Sequence, residues 1–367
     1  MDHEKERSVV ELSDRLFEQL SQFHHLPTEC TPVAVTARIR CTPDDFRVTE
    51  IPSYEPGGAG EHCYLWIEKR SLNTSDVIAR LASRLNIAEH QIGTAGLKDR
   101  NAVTRQFFSV PARAFETAAD PSDQDFQVLS AQRHSNKLKT GHLKGNHFMI
   151  VCRPKSDEFT PSELDAITAA VAAVATSGIA NLFGSQRFGT RGSTIRDGLE
   201  ILADTERARH GRFRNRSFRR LALNAVQAAL FNLVVSQRAL IGTLTTPVAG
   251  DIVIRAGGRK PFAWLAEQSP VDLIPAGPLF GSEMLAASDQ ALVTEMSVLT
   301  QWGLSPEQFH RRETAGDRRP MWVRPDLFRL VSVAPDAVTL ELSLPPGSYA
   351  TIALQHVFAD VGDGDAV

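Results

Sequence analysis

The chain has 367 residues, enough for two domains or one large one. Its hydrophobic fraction of 42% is ordinary for a soluble globular protein. No apolar run reaches the length of a membrane span, and the opening Met1-Asp2-His3-Glu4-Lys5-Glu6-Arg7 is too charged for the apolar region of a secretory signal peptide, so none is expected. A net charge of −3 argues against a uniformly basic nucleic-acid binder, so any RNA contact must come from local clusters.

The cysteines are Cys30, Cys41, Cys63 and Cys152. They are scattered, with no C-x-x-C pair and no histidine at ligand spacing. This pattern predicts reduced thiols in a cytoplasmic protein and no zinc site. Cys63 and Cys152 lie in apolar runs and read as core.

Residues 1–30 read as an N-terminal extension. Leu12, Leu16 and Leu20 stand at helical spacing and predict a short surface helix or a loosely ordered arm. Residues 27–32 read as a loop. In Arg40-Cys41-Thr42-Pro43-Asp44-Asp45-Phe46-Arg47-Val48-Thr49-Glu50, Pro43 and the aspartates make a turn, and Phe46, Val48 and Glu50 then share one strand face. Pro56-Gly57-Gly58-Ala59-Gly60 is a flexible loop with no G-K-[ST] after it, which excludes a nucleotide P-loop. Residues 63–69 alternate as a strand. Asn73-Thr74-Ser75-Asp76 caps a helix with Ile78, Leu81 and Leu85 on one side, and capping is a sufficient reading of Thr74.

Residues 93–106, Gly93-Thr94-Ala95-Gly96-Leu97-Lys98-Asp99-Arg100-Asn101-Ala102-Val103-Thr104-Arg105-Gln106, form the centre of the chain. Small residues make a turn, a charged triplet follows, and an apolar strand begins at Phe107. A carboxylate between two cations after such a turn is either an anion held for chemistry or a solvated turn with balanced charges. Residues 126–129 predict a strand, followed by the basic run Arg133-His134-Ser135-Asn136-Lys137-Leu138-Lys139. In Gly141-His142-Leu143-Lys144-Gly145-Asn146-His147-Phe148, Asn146 enters the strand over 148–151. Thr160-Pro161-Ser162-Glu163 is a capping box with proline at the first helical position.

Farther on, Asn181-Leu182-Phe183-Gly184-Ser185-Gln186-Arg187-Phe188-Gly189 precedes a crowd of arginines: Arg207, Arg209, Arg212, Arg214, Arg216, Arg219 and Arg220. Phe213 and Phe218 are interleaved with them, a composition suited to phosphate and base-stacking contacts. A merely solvated basic helix is the plainer alternative. Residues 221–240 predict a helix, 270–281 a loop and 290–296 a helix. Residues 338–344 alternate as a half-buried strand, followed by Leu344-Pro345-Pro346-Gly347-Ser348-Tyr349-Ala350-Thr351. The tail over 359–367, with Gly362-Asp363-Gly364-Asp365, predicts disorder.

These segments together resemble the TruD family of pseudouridine synthases. The family signature G-x-K-D-x-x-A-x-T-x-Q is met by Gly96, Lys98, Asp99, Ala102, Thr104 and Gln106. Further similar segments are P-x-D-F-x-V-x-E around Phe46, G-x-L-K-G-N-x-F around Asn146 and Phe148, N-Y-F-G-x-Q-R-F-G from Asn181 (with Leu182 for tyrosine) and L-P-x-G-S-[FY]-A-T around Tyr349. Two departures stand out. Gln227 and Ala228 replace arginine and serine in the helix over 221–240, and Gln355-His356 replaces Arg-Glu.

The resemblance implies an α+β fold: a mixed-sheet pseudouridine synthase catalytic domain over 31–178 and 323–358, interrupted by an inserted TRUD domain over 179–322. It implies isomerisation of uridine to pseudouridine in RNA, without metal or organic cofactor, and uridine 13 of tRNA is the target it implies first; a monomer is expected, though oligomeric state is not readable in the sequence. Asp99 is then the catalytic nucleophile. Phe46, Asn146, Phe148, Tyr349 and Lys98 are substrate-binding residues, with Arg40 at a basic position near the site. Arg187, Arg212, Arg214 and Arg216 are the RNA-binding candidates. Lys98 is expected to hold a phosphate or keep Asp99 ionised. Whether the carboxylate attacks the sugar or takes a proton from it stays open. Two rivals remain: a non-catalytic RNA-binding protein that kept the fold, and a glycosidase-like hydrolase, which lacks a second carboxylate in the matched motifs.

Overall fold

Ten strands in one mixed sheet carry the candidate site. The computed structural model describes residues 2–21 and 31–364, with the backbone alone for 2–6. The described residues divide into two compact units. A sheet unit comprises Pro32–Thr176, Arg324–Ala350 and the residues from Val357 on. A helical unit comprises the described part of Met1–Thr31 with Ser177–Val323 and Thr351–His356. Cys30 and most of the expected loop over 27–32 lie outside the described residues.

The sheet unit holds β1 (Val33–Ile39), β2 (Phe46–Pro52), β3 (His62–Arg70), α2 (Thr74–Arg84), β4 (Gly93–Thr94), β5 (Val103–Pro111), α3 (Ala112–Glu116), β6 (Phe126–His134), β7 (Leu143–Pro154), α4 (Pro161–Ser177), β14 (Leu327–Ala334), β15 (Ala337–Leu344) and β16 (Phe358–Asp363). The strand order is β14-β15-β7-β2-β5-β3-β6, with β4 on β5 and β1 lying between β7 and β16. The β2/β5 and β1/β16 pairs are parallel. The alternation read from sequence explains the layering. In β2, Phe46, Val48 and Glu50 are buried while Arg47 is exposed. Helix α2 lays Val77 and Leu81 on Leu65, Ile67 and Phe108 of the sheet. Cys63 and Cys152 are buried free thiols, as their apolar runs imply. Thr160 and Glu163 form the expected capping box, with Thr160 N–H donating to Glu163 at 2.7 Å.

The helical unit holds α1 (Asp2–Ser21), β8 (Ile179–Ala180), α5 (Ser193–Leu202), α6 (Arg216–Leu240), β9 (Ile252–Arg255), β10 (Phe262–Ala263), β11 (Leu273–Leu279), α7 (Asp289–Gln301), β12 (Asp317–Pro320), β13 (Trp322–Val323) and most of α8 (Ala350–Gln355). Its hub is α6, buried on nearly all sides from Ala222 to Ala239. Gly198 lets α5 cross α6 closely, since a Cβ there would stand 2.4 Å from the Ala222 carbonyl oxygen. The strands order as β10-β9-β11-β12, with β13 paired to β8.

Three expectations are corrected here. The N-terminal helix is not a loose arm: Ser13, Leu16 and Leu20 of α1 are buried, and Phe17 packs on Gly192. Residues 270–281 are not a loop throughout, because β11 pairs with β9 and β12. Its prolines misled the reading: proline lacks a donor but keeps its acceptor, and the Pro275 carbonyl accepts from Met321 N–H at 2.9 Å. The tail is ordered through β16, which aligns Ile39 with Asp363. Its polar, glycine-containing composition hid a strand that gains its hydrogen bonds from β1.

Candidate active site

Strand register gathers the motif residues on one face of the sheet. Val48 pairs with Phe148 and Thr104, Glu50 with Asn146, and Lys69 with Thr104. Paired residues share a face and alternate residues return to it. Phe46, Glu50, Lys69, Thr104, Gln106, Asn146 and Phe148 therefore point the same way. Phe46 and Phe148 meet edge to face with ring centroids 6.1 Å apart, giving an aromatic floor.

The turn carrying Asp99 is tied to this face by buried polar groups. Thr74 Oγ1 accepts from Lys98 N–H at 3.0 Å and donates to Gln106 Oε1 at 3.2 Å. Gln106 Nε2 donates to the Gly96 carbonyl at 3.0 Å. Lys69 Nζ donates to the Asp99 carbonyl at 2.7 Å. Burial pushes the Lys69 ammonium down to about 8, against the opposing pull of Asp99. The fixed glutamine of the signature, Gln106, thus has a physical use, while the fixed threonine, Thr104, and Ala102 are fully buried, the Thr104 hydroxyl without a hydrogen-bond partner among the described residues.

Asp99 itself is treated differently from its neighbours. Its side chain keeps 37% of its exposure, and among the described residues its carboxylate oxygens accept no hydrogen bond. Its nearest cation is Arg40, with Nη2 3.6 Å from Oδ2, while the Arg40 side chain is only 7% exposed. Arg40 also stacks its guanidinium over Phe46 at 4.0 Å. The result is an anion held by a nearby positive charge and left open to an incoming group.

The other expected site residues divide. Asn146 is opposite Glu50, and its buried Oδ1 has no hydrogen-bond partner among the described residues. Tyr349 is half-buried in the loop after β15, whose end, Leu344, pairs with Asn146. Lys98 does not offer its ammonium to a phosphate. Its side chain is 4% exposed and its Nζ is bound to Glu50 at 2.9 Å, so a buried carboxylate has already taken the charge.

The arginine-rich segment, within the helical unit, is partly neutralised. Arg212 makes two hydrogen bonds to Asp197, at 2.6 and 2.7 Å. Arg207, Arg209 and Arg219 are also ion-paired, which leaves Arg214, Arg216 and Arg220 exposed and outside any ion pair among the described residues. Arg187 is half-buried beside Phe183. The two family departures are structural. Gln227 donates to the Phe280 carbonyl in the core. His356 is fully buried: its Nδ1 bonds the Ile352 carbonyl at 2.9 Å, so Nδ1 carries the proton and Nε2 accepts from Ala180 N–H at 3.2 Å. Burial pushes the His356 imidazole below its usual range, which keeps this neutral form.

Sequence reasoning undervalued four residues of the site. Glu50 carried a signal, as a carboxylate on an otherwise apolar strand face. Thr74 read fully as a cap, and Lys69 as the end of an alternating strand. Leu97, 81% exposed beside Lys98, is an apolar side chain in the open that patterning does not explain.

The comparisons agree with this architecture. The profile of the family described as tRNA pseudouridine synthase D (TruD) matches residues 30–209 and 212–357. The chain is 38% identical over 330 residues to a tRNA pseudouridine synthase D of Anaeromyxobacter sp. strain Fw109-5, covering 87% of this chain and 91% of that protein. It is 36% identical over 336 residues to one from Thermus thermophilus, covering 88% of this chain and 89% of that protein. A crystal structure from Methanosarcina mazei, described as a candidate tRNA pseudouridine synthase D, superposes with a TM-score of 0.69 at 24% identity, covering 91% of this chain and 95% of that one. That structure supports the α+β mixed-sheet fold.

Proposed function

The chain belongs to the TruD family of tRNA pseudouridine synthases, isomerases that convert uridine to pseudouridine, and from that premise we propose that it acts on uridine 13 of tRNA with Asp99 as the catalytic nucleophile. The observation that carries this reading is the state of Asp99: a carboxylate beside a buried arginine, with neither oxygen capped by a hydrogen bond. Cleavage of the C1′–N1 bond develops positive charge on the ribose, and an uncapped carboxylate is suited to attack or stabilise C1′. The uracil leaves with the bonding pair, turns, and bonds through C5 to C1′. The C5 proton then passes to solvent while N1 gains one, so the product is an isomer of the substrate.

The uridine must leave its stack to reach this carboxylate, at a cost of a few kcal/mol. Tyr349, half-buried, offers aromatic surface to offset it, at about 1–3 kcal/mol per stacked base, while Phe46, beneath the Arg40 guanidinium, and Phe148 are buried and back the site rather than present a free face. Asn146 Oδ1, buried without a donor, suits the uracil N3–H. Lys98 contributes by fixing the turn through Glu50 rather than by touching RNA. The helical unit is proposed as the inserted TRUD domain, with Arg187, Arg214 and Arg216 toward RNA. Among the described residues no helix is long and apolar enough to cross a membrane, and we place the enzyme in the cytoplasm as a monomer.

The test is position-resolved chemical mapping of an unmodified tRNA transcript after incubation with the purified protein. Pseudouridine at position 13 supports the reading. Modification at another position refutes the target, free uracil identifies a hydrolase, and an unmodified but bound tRNA identifies a non-catalytic binder.

A further inference from the structure

The last described strand ends beside the candidate site, and one of its residues touches Arg40. Strand β16 runs parallel to β1 with Ile39 aligned to Asp363. The chain leaves β1 at Arg40 with a left-handed φ of 55°, which turns the guanidinium back over Phe46. Gly364 N–H donates to the Ile39 carbonyl at 2.7 Å. A Cβ on Gly364 would stand 2.8 Å from Cys41 Cα, so this approach leaves room only for glycine. Asp363 is thereby fixed against Arg40, with Arg40 Nη1 donating to Asp363 Oδ1 at 2.8 Å.

We propose that Asp363 is a positioning residue: it anchors the Arg40 guanidinium and so holds it near Asp99 without capping the Asp99 carboxylate. This rests on the reading of Asp99 given above. The two carboxylates share one buried arginine unequally. Asp363 takes the charge-assisted hydrogen bond, and Asp99 is left at 3.6 Å, an ion-pair distance too long for a hydrogen bond. A guanidinium is a fork that closes on a carboxylate with two parallel bonds when nothing else holds it. Without the Asp363 charge, Arg40 would close on Asp99 and tie up the oxygens that the reaction needs free.

The test uses the full chain with Asp363→Asn, which keeps the shape and removes the charge. The expected result is a fall of about tenfold in the single-turnover rate of pseudouridine formation, as for a small misplacement of a reacting group, with tRNA Kd within about twofold and an unchanged melting temperature. In an Arg40→Lys background, where there is no fork to restrain, the same change should have less than about a twofold effect. A crystal structure of the Asp363→Asn protein without RNA should show Arg40 at hydrogen-bond distance from Asp99. That last readout needs no activity, so it separates failure of this inference from failure of the reading of Asp99. An Arg40–Asp99 distance unchanged at about 3.6 Å in the variant overturns the inference. So does an unchanged rate, or a loss confined to Kd.

Discussion

Asp251 in the helical unit and Asp99 in the sheet unit both meet an arginine, and the two encounters differ. Asp251 is 4% exposed and accepts from Arg238 at 2.8 and 2.9 Å and from Val248 N–H at 2.7 Å. Arg318 and Glu295 form a second closed pair in the same unit, where burial pushes the Glu295 carboxyl up and Arg318 opposes the shift. In these pairs every charge is met by hydrogen bonds, and nothing is left over for a ligand. Around Asp99 the pairing is complete for the supports and incomplete for one oxyanion. Lys98 closes on Glu50 and Arg40 on Asp363, while Asp99 keeps only a longer ion pair and an open side. A buried charge with all its bonds made is scaffold. A half-exposed charge with bonds withheld, beside closed ion pairs such as Lys98–Glu50, marks where chemistry can happen.

That contrast can be broken from the closed side first. Arg238→Ala leaves Asp251 buried without its cation and should cost about 3–5 kcal/mol of stability in a denaturant melt. The rate per folded molecule should stay near wild type, and a rate loss without a stability loss would blur the distinction between the two regions. Glu50→Gln is the matching change beneath the site. It leaves the buried Lys98 ammonium facing a neutral amide, and we expect a loss of about 2–3 kcal/mol. Here the reaction rate should fall as well, because the same ammonium anchors the turn that carries Asp99.

Lys69 sharpens the comparison through pH. Its folded value of about 8 lies below the usual lysine value of 10.5, so the unfolded chain binds more protons between these limits. Stability therefore rises with pH across that window, and the destabilising charge is fully felt below pH 8. Lys69→Met removes the titration. The wild-type stability minus that of the variant should increase by about 2 kcal/mol between pH 8 and 10. A flat difference would mean that the ammonium carries no burial penalty. The smallest effect is expected at the surface. Alanine at Arg212, Arg214 and Arg216 together should weaken tRNA binding and lower the salt slope by about 1–2 rather than by the full value for three phosphates. Arg212 is already bound to Asp197, and an unchanged slope would return the segment to a solvated face.

Much of this was legible before the fold was known, and the reasons lie in particular residues. The β2 alternation placed Phe46, Val48 and Glu50 on one face, and the capping residues Asn73 and Thr160 marked two helix starts. The signature around Asp99 identified the turn. What the sequence hid was long-range pairing. Lys98 and Glu50 are 48 positions apart, and Arg40 and Asp363 are 323 apart; local pattern says nothing about which charges will meet. The same limit explains the arginine-rich segment, whose density suggested phosphate contacts while Asp197 and Glu200, already folded beneath it, neutralise part of it.

The central claim is that the open carboxylate of Asp99 reacts at the ribose of an extruded uridine. The most direct measurement is single-turnover pseudouridine formation by Asp99→Asn on an unmodified tRNA, with tRNA Kd and thermal melting measured on the same protein. The expected result is a rate loss of about a thousandfold or more with affinity and folding preserved, since the variant keeps the shape and removes only the reacting charge. Substantial turnover by that variant would contradict the claim.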